Sequence, residues 1–184
     1  MYTHKFDKAV IGGVNEIELV QHAQSGSQEA LNTLIEEYYQ IIFAYFYKNT
    51  NHSHQSKDLT QDVFIKMVAN LSKYKPRAPF KSWLFTIASN HLKNYYRTLS
   101  RHPESVELSE EALVTESLTE QVEVGRDLQT ALAHLPAKQK EVVILRYYYD
   151  FSIKDIAKIT GALEITVKAR IRYALEKLKH ELEG

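Results

Sequence analysis

One helical face near the C-terminus carries side chains suited to reading the edges of base pairs. A helix brings four residues at i, i+1, i+4 and i+5 to one surface: Lys168, Ala169, Arg172 and Tyr173. Lysine and arginine donate hydrogen bonds to guanine, and a small residue lets a helix lie deep in the major groove. Thr166 belongs to the same face, while Arg170 and Lys177 are better placed to contact phosphates. The pattern favours DNA binding over its alternative, an ordinary helical hairpin with a solvated basic face.

The segment that must position this face has the spacing of a helix-turn-helix. Ser152 and Asp155 form a capping pattern at the predicted start of the first helix. Ala157 is small where two helices must cross, Gly161 four residues later permits a left-handed turn, and the apolar Val167 follows after six more. The residues predicted to face the core of this unit are Ile156, Ile159, Val167, Ile171, Ala174, Leu175, Leu178 and Leu182.

A second group of nucleic-acid-binding side chains lies on the predicted helix "PFKSWLFTIASNHLKNYYRTLSR". A stripe of residues spaced four apart comprises Phe85, Ser89, Lys93, Arg97 and Arg101, with Asn90 and Asn94 beside it. A single strand requires phosphate neutralisation, stacking, and hydrogen bonds to exposed base edges, and these residue types supply all three. For Trp83, simple packing with Phe80 and Phe85 is the favoured interpretation.

The loop "KYKPRAPF" precedes that helix and is fixed by two prolines. Lys75 and Arg77 lie inside the loop, between the aromatic residues Tyr74 and Phe80. Such a loop can form a pocket for an unstacked base, because it combines aromatic faces with positive charge.

The segment "KDLTQDVFIKMV" predicts a helix with an unusual outer face. Its core stripe is Leu59, Val63, Met67 and Leu71. The opposite face carries Asp58, Gln61, Asp62 and Ile65. An exposed isoleucine among acidic residues indicates a protein-docking surface, although single exposed apolar residues are common.

Composition narrows the class of protein. The 184 residues include 23 Lys/Arg and 23 Asp/Glu, but the charge is unevenly distributed. Residues 1–102 have a balance of +4, residues 103–126 of −6 and residues 127–184 of +2. There is no cysteine, which fits a reducing cytoplasm, and no apolar run of about 18 residues that would span a membrane. We expect a cytoplasmic protein without a signal peptide.

Helical periodicity recurs on both sides of the acidic stretch, and no segment alternates convincingly at period two. The fold class is therefore predicted to be all-α, with two small helical domains. Residues 103–126 read as a flexible linker, residues 16–102 and 127–184 as the domains, and residues 1–15 as an extension of unknown role. No nucleophile–base or metal-ligand group stands out, since His52 and His54 lack a third ligand, so neither an enzyme nor a cofactor is expected.

Taken together, these segments resemble the extracytoplasmic-function (ECF) class of bacterial RNA polymerase sigma factors, in the sigma-70 family. "DLTQDVFIKM" is similar to the polymerase-binding motif of sigma region 2, and "FKSWLFTIASNHLKNYYR" to its promoter-melting segment. The stretch from "ALAHLPAKQKEVV" through "TVKARIRYALEKL" resembles sigma region 4 almost throughout. The order and spacing of the segments make the resemblance specific.

The resemblance implies a role for each predicted surface. Asp58, Gln61, Asp62 and Ile65 would dock on the clamp coiled coil of core RNA polymerase. A flipped base of the −10 element would be captured by Tyr74, the loop containing Lys75 and Arg77, Asn90 and Lys93, with Asn94 and Arg97 holding nearby bases or backbone. The −35 element would be read by Thr166, Lys168, Ala169, Arg170, Arg172 and Tyr173. The linker would run through the polymerase towards the RNA exit channel.

Regulation and rival functions complete the expectations. Two DNA-binding blocks on one tether could be occluded together by an anti-sigma factor, which is the regulator that the resemblance implies. Arg172 and Tyr173 reverse the order of aromatic and basic residues common among relatives, so the −35 sequence does not transfer. A stand-alone helix-turn-helix regulator and a helical adaptor or inhibitor of transcription proteins are the two alternatives.

Overall fold

A computed structural model describes residues 10–11, 14–101 and 128–183 of the chain. The predicted linker and most of the N-terminal extension lie outside the described residues. The described part is helical except for a short antiparallel ladder between Val10–Ile11 and Val14–Asn15. The all-α prediction is therefore confirmed, with this two-residue ladder as a minor addition. In the described ranges, no helix has the length and apolar character needed to cross a bilayer.

Four helices and a short 3-10 turn build the first block. They are α1 (Glu16–Gln24), α2 (Gln28–Thr50), α3 (Ser53–Asn70), the 3-10 turn Leu71–Lys73 and α4 (Phe80–Arg101). Helix α2 packs against both α1 and α3, and α3 packs in turn against α4. Ser27 caps α2, because its side chain accepts a hydrogen bond from the Ala30 N–H. Helix α2 ends where Asn51 adopts a left-handed conformation, which asparagine tolerates better than most residues.

The second block begins with a helical segment at 128–133 and continues through three helices. These are α5 (Ala137–Tyr147), α6 (Ile153–Thr160) and α7 (Glu164–Glu183). Ser152 caps α6 by accepting the Asp155 N–H, and Gly161 ends it at φ 63°. Both features of the predicted helix-turn-helix are thereby confirmed. The turn requires a left-handed residue, and glycine adopts that conformation without the steric cost that a Cβ adds.

One hydrophobic core runs through both blocks rather than stopping at each. Helix α4 packs against α6, and α2 packs against α5. The Phe85 ring lies 4.8 Å from the Tyr149 ring and 5.0 Å from the Phe151 ring, centroid to centroid. Burial of aromatic surface is among the larger contributions to packing free energy, so this contact holds the blocks together. A smaller cluster joins the segment 128–133 to α7.

Most residues predicted to face the core do so, but two positions on α7 do not. Val167, Ile171, Ala174 and Leu178 are buried, whereas Leu175 is 42% exposed and Leu182 is 50% exposed. The prediction for these two leucines was wrong. The C-terminal half of α7 packs against Val143 of α5 and the segment containing Ala131 and Leu132, and these cover only the Ala174 and Leu178 side of the helix.

Candidate nucleic-acid interface

The first half of α7 presents the predicted duplex-reading residues on its outer side. Lys168, Arg172 and Tyr173 are exposed, and Thr166 and Ala169 are partly exposed. The Arg172 guanidinium lies 4.8 Å from the centre of the Tyr173 ring, and its Nε is 3.9 Å from Glu176 Oε1. Exposed contacts of this kind contribute little stability, so Arg172 can leave them for a base edge at low cost.

Arg170 lies on a different side of α7 from Arg172. It is partly exposed, and its positive charge acts on the buried carboxylate of Glu141 on α5. The structure therefore brings together five of the six predicted −35 residues on the outer face, with Arg170 turned towards the neighbouring helices. Of the roles considered from the sequence, phosphate contact at the edge of the face suits this position better than base reading.

The exposed side of α4 carries two amide–cation pairs. Asn90 Oδ1 lies 3.5 Å from Lys93 Nζ, and Asn94 Oδ1 accepts a hydrogen bond from Arg97 Nη2 at 3.1 Å. All four side chains are exposed and lie on two successive turns of the helix. Amide and cationic groups alternate along the surface, so the stretch offers both base-edge hydrogen bonds and phosphate neutralisation.

The N-terminal half of the predicted α4 stripe is not available to nucleic acid in this structure. Phe85 and Ser89 are both 0% exposed, because the second block covers them. Phe85 packs on Tyr149 and Phe151, and Ser89 Oγ donates to Glu141 Oε1 at 2.6 Å. Their predicted place in a single-strand surface was wrong, and the exposed stripe begins at Asn90.

The loop before α4 is held in place from within. The Tyr74 hydroxyl donates to the Ala78 carbonyl at 2.7 Å, and the Tyr74 ring packs on Phe80 and Trp83. Gln24 Nε2 donates at 2.8 Å to the carbonyls of Leu71 and of Tyr74 itself. Tyr74 is only 9% exposed, so in this structure its ring supports the loop.

The rest of that loop is open to solvent. Lys75 and Arg77 are exposed, and the partly exposed Trp83 is a packing residue, as predicted. The internal hydrogen bonds fix the loop that carries these two residues before any ligand arrives, and a preformed loop lowers the entropic cost of binding.

The outer face of α3 has the composition that the sequence predicted. Asp58, Gln61, Asp62 and Ile65 are all exposed, and Ile65 is exposed over 68% of its side chain. Asp58 also lies 3.1 Å from His54 Nδ1 in the first turns of the helix. The opposite stripe is buried, as predicted from its spacing. Helix α3 therefore presents an acidic face that includes the large apolar side chain of Ile65, with Val68, 45% exposed, one turn further along.

A groove between the blocks connects the α4 surface to the second block. It is lined by Leu92, Lys93, Tyr96, Arg97, Ser100, Ala137, Lys138 and Glu141. Lys93 also approaches the helix-turn-helix, since a Cβ placed on Gly161 would lie 3.9 Å from Lys93 Nζ. The surface of α4 predicted to bind a single strand thus lies beside the turn that precedes α7, the helix predicted to read duplex DNA.

A buried polar cluster beneath this groove was not predicted from the sequence. Glu141 is 5% exposed, and its Oε1 accepts hydrogen bonds from Ser89 Oγ at 2.6 Å and Tyr45 Oη at 2.9 Å. Burial raises the pKa of the Glu141 carboxyl, against the opposing effects of these hydrogen bonds and of nearby Lys93 and Arg170. The sequence shows that Glu141 precedes two valines that are buried on α5. It does not show that Ser89 and Tyr45 are its hydrogen-bond partners.

A second pair of contacts adds to the polar cluster. The Asn49 carbonyl accepts hydrogen bonds from Tyr96 Oη at 2.7 Å and from Lys140 Nζ at 3.3 Å. Burial lowers the pKa of Lys140. The two blocks are thus joined by hydrogen bonds as well as by the aromatic contacts of Phe85.

Comparison with known proteins shows which family the chain resembles. The description "Sigma-70 region 2" matches residues 34–102, and "Sigma-70, region 4" matches residues 125–178. Two relatives from Bacillus subtilis align with nearly their whole length. RNA polymerase sigma factor YlaC is 28% identical, over 84% of this chain and 93% of YlaC. ECF RNA polymerase sigma factor SigW is 25% identical, over 89% of this chain and 94% of SigW.

A solved structure has the same arrangement of helices. It is the sigma factor RpoE from Bartonella quintana in complex with the anti-sigma factor NepR, with 27% identity and a TM-score of 0.66. The match covers 83% of this chain and 96% of that one. The chain therefore belongs to the sigma-70 family of RNA polymerase sigma factors, within its extracytoplasmic-function class. These matches confirm the resemblance seen in the sequence. Proteins of this family are transcription initiation factors.

Proposed function

We propose that this chain binds core RNA polymerase, brings it to promoters that carry its −35 and −10 elements, and opens the DNA at the −10 element. The observation that carries the proposal is the presence of three separate exposed surfaces on one family-defining scaffold. One is acidic with an apolar centre, one alternates amides with cations, and one is a basic recognition helix. A regulator that binds duplex DNA by itself has no use for the first two.

Helix α3 supplies the polymerase-docking surface. Ile65 provides apolar area, and the surrounding carboxylates of Asp58 and Asp62 provide charge that must be matched by basic groups on the partner. An apolar centre with a polar rim is the usual composition of a specific protein interface. The occupant of this surface is the clamp coiled coil of the polymerase.

Helix α4 and the loop before it supply the single-strand surface. Asn90 and Asn94 offer hydrogen bonds to a displaced base, and Lys93, Arg97, Lys75 and Arg77 offer charge to the phosphates. Extrusion of a base costs a few kcal/mol of unstacking. The loop is fixed before binding, so more of the interaction free energy remains to offset that cost.

Helix α7 supplies the duplex-reading surface. Arg172 and Lys168 are exposed donors for guanine, and Ala169 leaves room for close approach to the groove floor. A single helix-turn-helix makes few phosphate contacts, and non-specific affinities of this kind lie at about 10⁻⁴–10⁻⁶ M. Attachment to polymerase gives the module the additional contacts that it lacks alone.

An anti-sigma factor regulates the chain in this proposal. The support is the similarity to RpoE, whose structure was solved with the anti-sigma factor NepR. A partner that covers α4 and α7 together would block both DNA-binding surfaces. Co-expression of a candidate inhibitor should then abolish transcription that depends on this chain, and unchanged transcription would exclude that candidate.

Reconstituted transcription tests the proposal. Purified chain is added to bacterial core RNA polymerase with fragmented genomic DNA, and transcript 5′ ends are mapped. Discrete start sites that share two upstream elements are expected. Binding to core without transcripts would instead favour an adaptor, and binding to duplex DNA without core would favour a stand-alone regulator.

A further inference from the structure

Ile165 is more exposed than any other large hydrophobic residue in the described part of the chain. Its side chain is 74% exposed, although it lies in the first turn of α7. The nearby core residues Val167 and Ile171 are 0% and 8% exposed, so the helix has a well-defined buried side that Ile165 does not join. Neither packing nor helix propensity explains an exposed β-branched residue here, because β-branched residues form helices less readily than alanine.

The position of Ile165 on the helix is informative. Ala169 and Arg172 follow it at i+4 and i+7, which places all three on one side of α7. Lys168 and Tyr173 border the same side and are exposed. Ile165 therefore belongs to the surface that the proposed function assigns to the −35 element, nearest the N-terminal end of the helix. Residues at the N-terminal end of a recognition helix are those that contact base edges.

The major groove offers one apolar group to such a side chain. Only thymine presents a C5 methyl there, and apolar side chains are its usual protein contacts. Lys168 and Arg172 can recognise guanine through hydrogen bonds, but neither can recognise a methyl group. Thr166 and Ala169 also carry methyl groups on this face, but both residues are only partly exposed. Ile165 is larger and 74% exposed, so it is the apolar group best placed to reach a thymine methyl.

We propose that Ile165 determines specificity by contacting the C5 methyl of one thymine in the −35 element. The proposal rests on the proposed function, since it requires that α7 bind promoter DNA. It adds a residue that the sequence pattern of basic side chains did not include. The alternative occupant of this position is a protein partner, for which Ile165 and Leu163, 72% exposed, would form an apolar contact.

Replacement of thymine by deoxyuridine tests the contact with one methyl group. A promoter found by transcription mapping is prepared with each thymine of its −35 element, on either strand, changed singly to deoxyuridine. Every base-pairing and hydrogen-bonding group is retained, and only the methyl is removed. The affinity of the core polymerase complex for each template is measured by competition at fixed salt. We expect wild type to lose about three- to fivefold at one position, the effect of burying one methyl group.

Two variants make the result specific. Ile165→Ala should bind the thymine and deoxyuridine templates equally well, at the affinity of wild type for the deoxyuridine template. Leu163→Ala, which removes an equally exposed apolar side chain just before α7, should retain the wild-type loss. Both variants should fold, because each substitution is at an exposed position, and alanine at position 165 favours the helix. Circular dichroism verifies this.

Each result decides the proposal. Equal wild-type affinity for every deoxyuridine template, with other −35 substitutions still harmful, would overturn the methyl contact and leave the proposed function intact. An Ile165→Ala variant that differs from wild type only in binding an anti-sigma factor would assign the residue to a protein interface and also overturn it. Loss of all dependence on the −35 sequence would overturn the proposed function and this inference together.

Discussion

The Ser89 hydroxyl on α4 donates a 2.6 Å hydrogen bond to the buried carboxylate of Glu141 on α5. These residues are 52 positions apart and belong to different blocks of the chain. Tyr45 on α2 donates to the same carboxylate oxygen, so one acceptor joins three helices. Because Ser89 stands one residue before Asn90, the contact that joins the blocks borders the surface proposed to bind single-stranded DNA.

Removal of the Ser89 donor should weaken the packing of the blocks. Ser89→Ala leaves a buried carboxylate with one hydrogen bond fewer, and we expect a loss of about 1–3 kcal/mol in the free energy of unfolding. Ser100→Ala on the same helix is the matched control, because the Ser100 hydroxyl is exposed and bonds only to the Tyr96 carbonyl of its own helix. Urea denaturation of both variants measures the difference. Equal stabilities would show that the Ser89–Glu141 bond contributes nothing.

The raised pKa of Glu141 predicts a pH dependence with a definite sign. The folded state favours the protonated carboxyl, so the stability from this group is fully present below the ordinary glutamate pKa and is lost as pH rises through the raised folded value. Glu141→Gln cannot titrate, yet its amide oxygen can still accept from Ser89 and Tyr45. We expect the free energy of unfolding of wild type, relative to that of Glu141→Gln, to fall across this pH interval. Denaturation curves at a series of pH values measure it, and a constant or rising difference would refute the assignment.

The outer face of α3 should be needed for polymerase binding but not for folding. Ile65→Ala and Asp62→Ala remove exposed side chains, so we expect the thermal midpoint to change little while affinity for core polymerase falls by tenfold or more if these are central contacts. Glu36→Ala, which removes an exposed acidic side chain on α2 rather than on α3, is the control. Competition against a reference sigma factor measures affinity. Wild-type affinity in both test variants would place the polymerase interface elsewhere.

Lys93 and Asn90 should differ in what they contribute to single-strand binding. Lys93→Ala removes one phosphate contact, so the slope of log affinity against log salt should become shallower by about 0.7. Asn90→Ala should leave that slope unchanged but reduce the preference among bases at one position of the −10 element. Fluorescence anisotropy of the polymerase complex on forked templates measures both. An unchanged slope for Lys93→Ala would mean that its ammonium does not contact phosphate.

Short-range features were predictable from the sequence, and contacts between blocks were not. The cap at Ser152 and the left-handed turn at Gly161 depend on residues close in sequence, and both are present. The Tyr45–Glu141 bond joins residues 96 positions apart, and no periodicity specifies such a pairing. The same limit explains why the prediction for Phe85 was wrong. Its position on α4 does not reveal that residues of the second block bury it. The prediction that Leu175 is buried was wrong for a related reason. The spacing of apolar residues along α7 does not show how much of the helix its neighbours cover.

Permanganate reactivity of promoter thymines shows directly whether the chain opens promoter DNA. Permanganate oxidises thymines that are unstacked, and so reports strand opening at single-base resolution. We expect reactive thymines at the −10 element when the chain and core polymerase are both present, and none with either alone. Reactivity that is the same with and without the chain, or that is absent although polymerase is bound to the promoter, would contradict it.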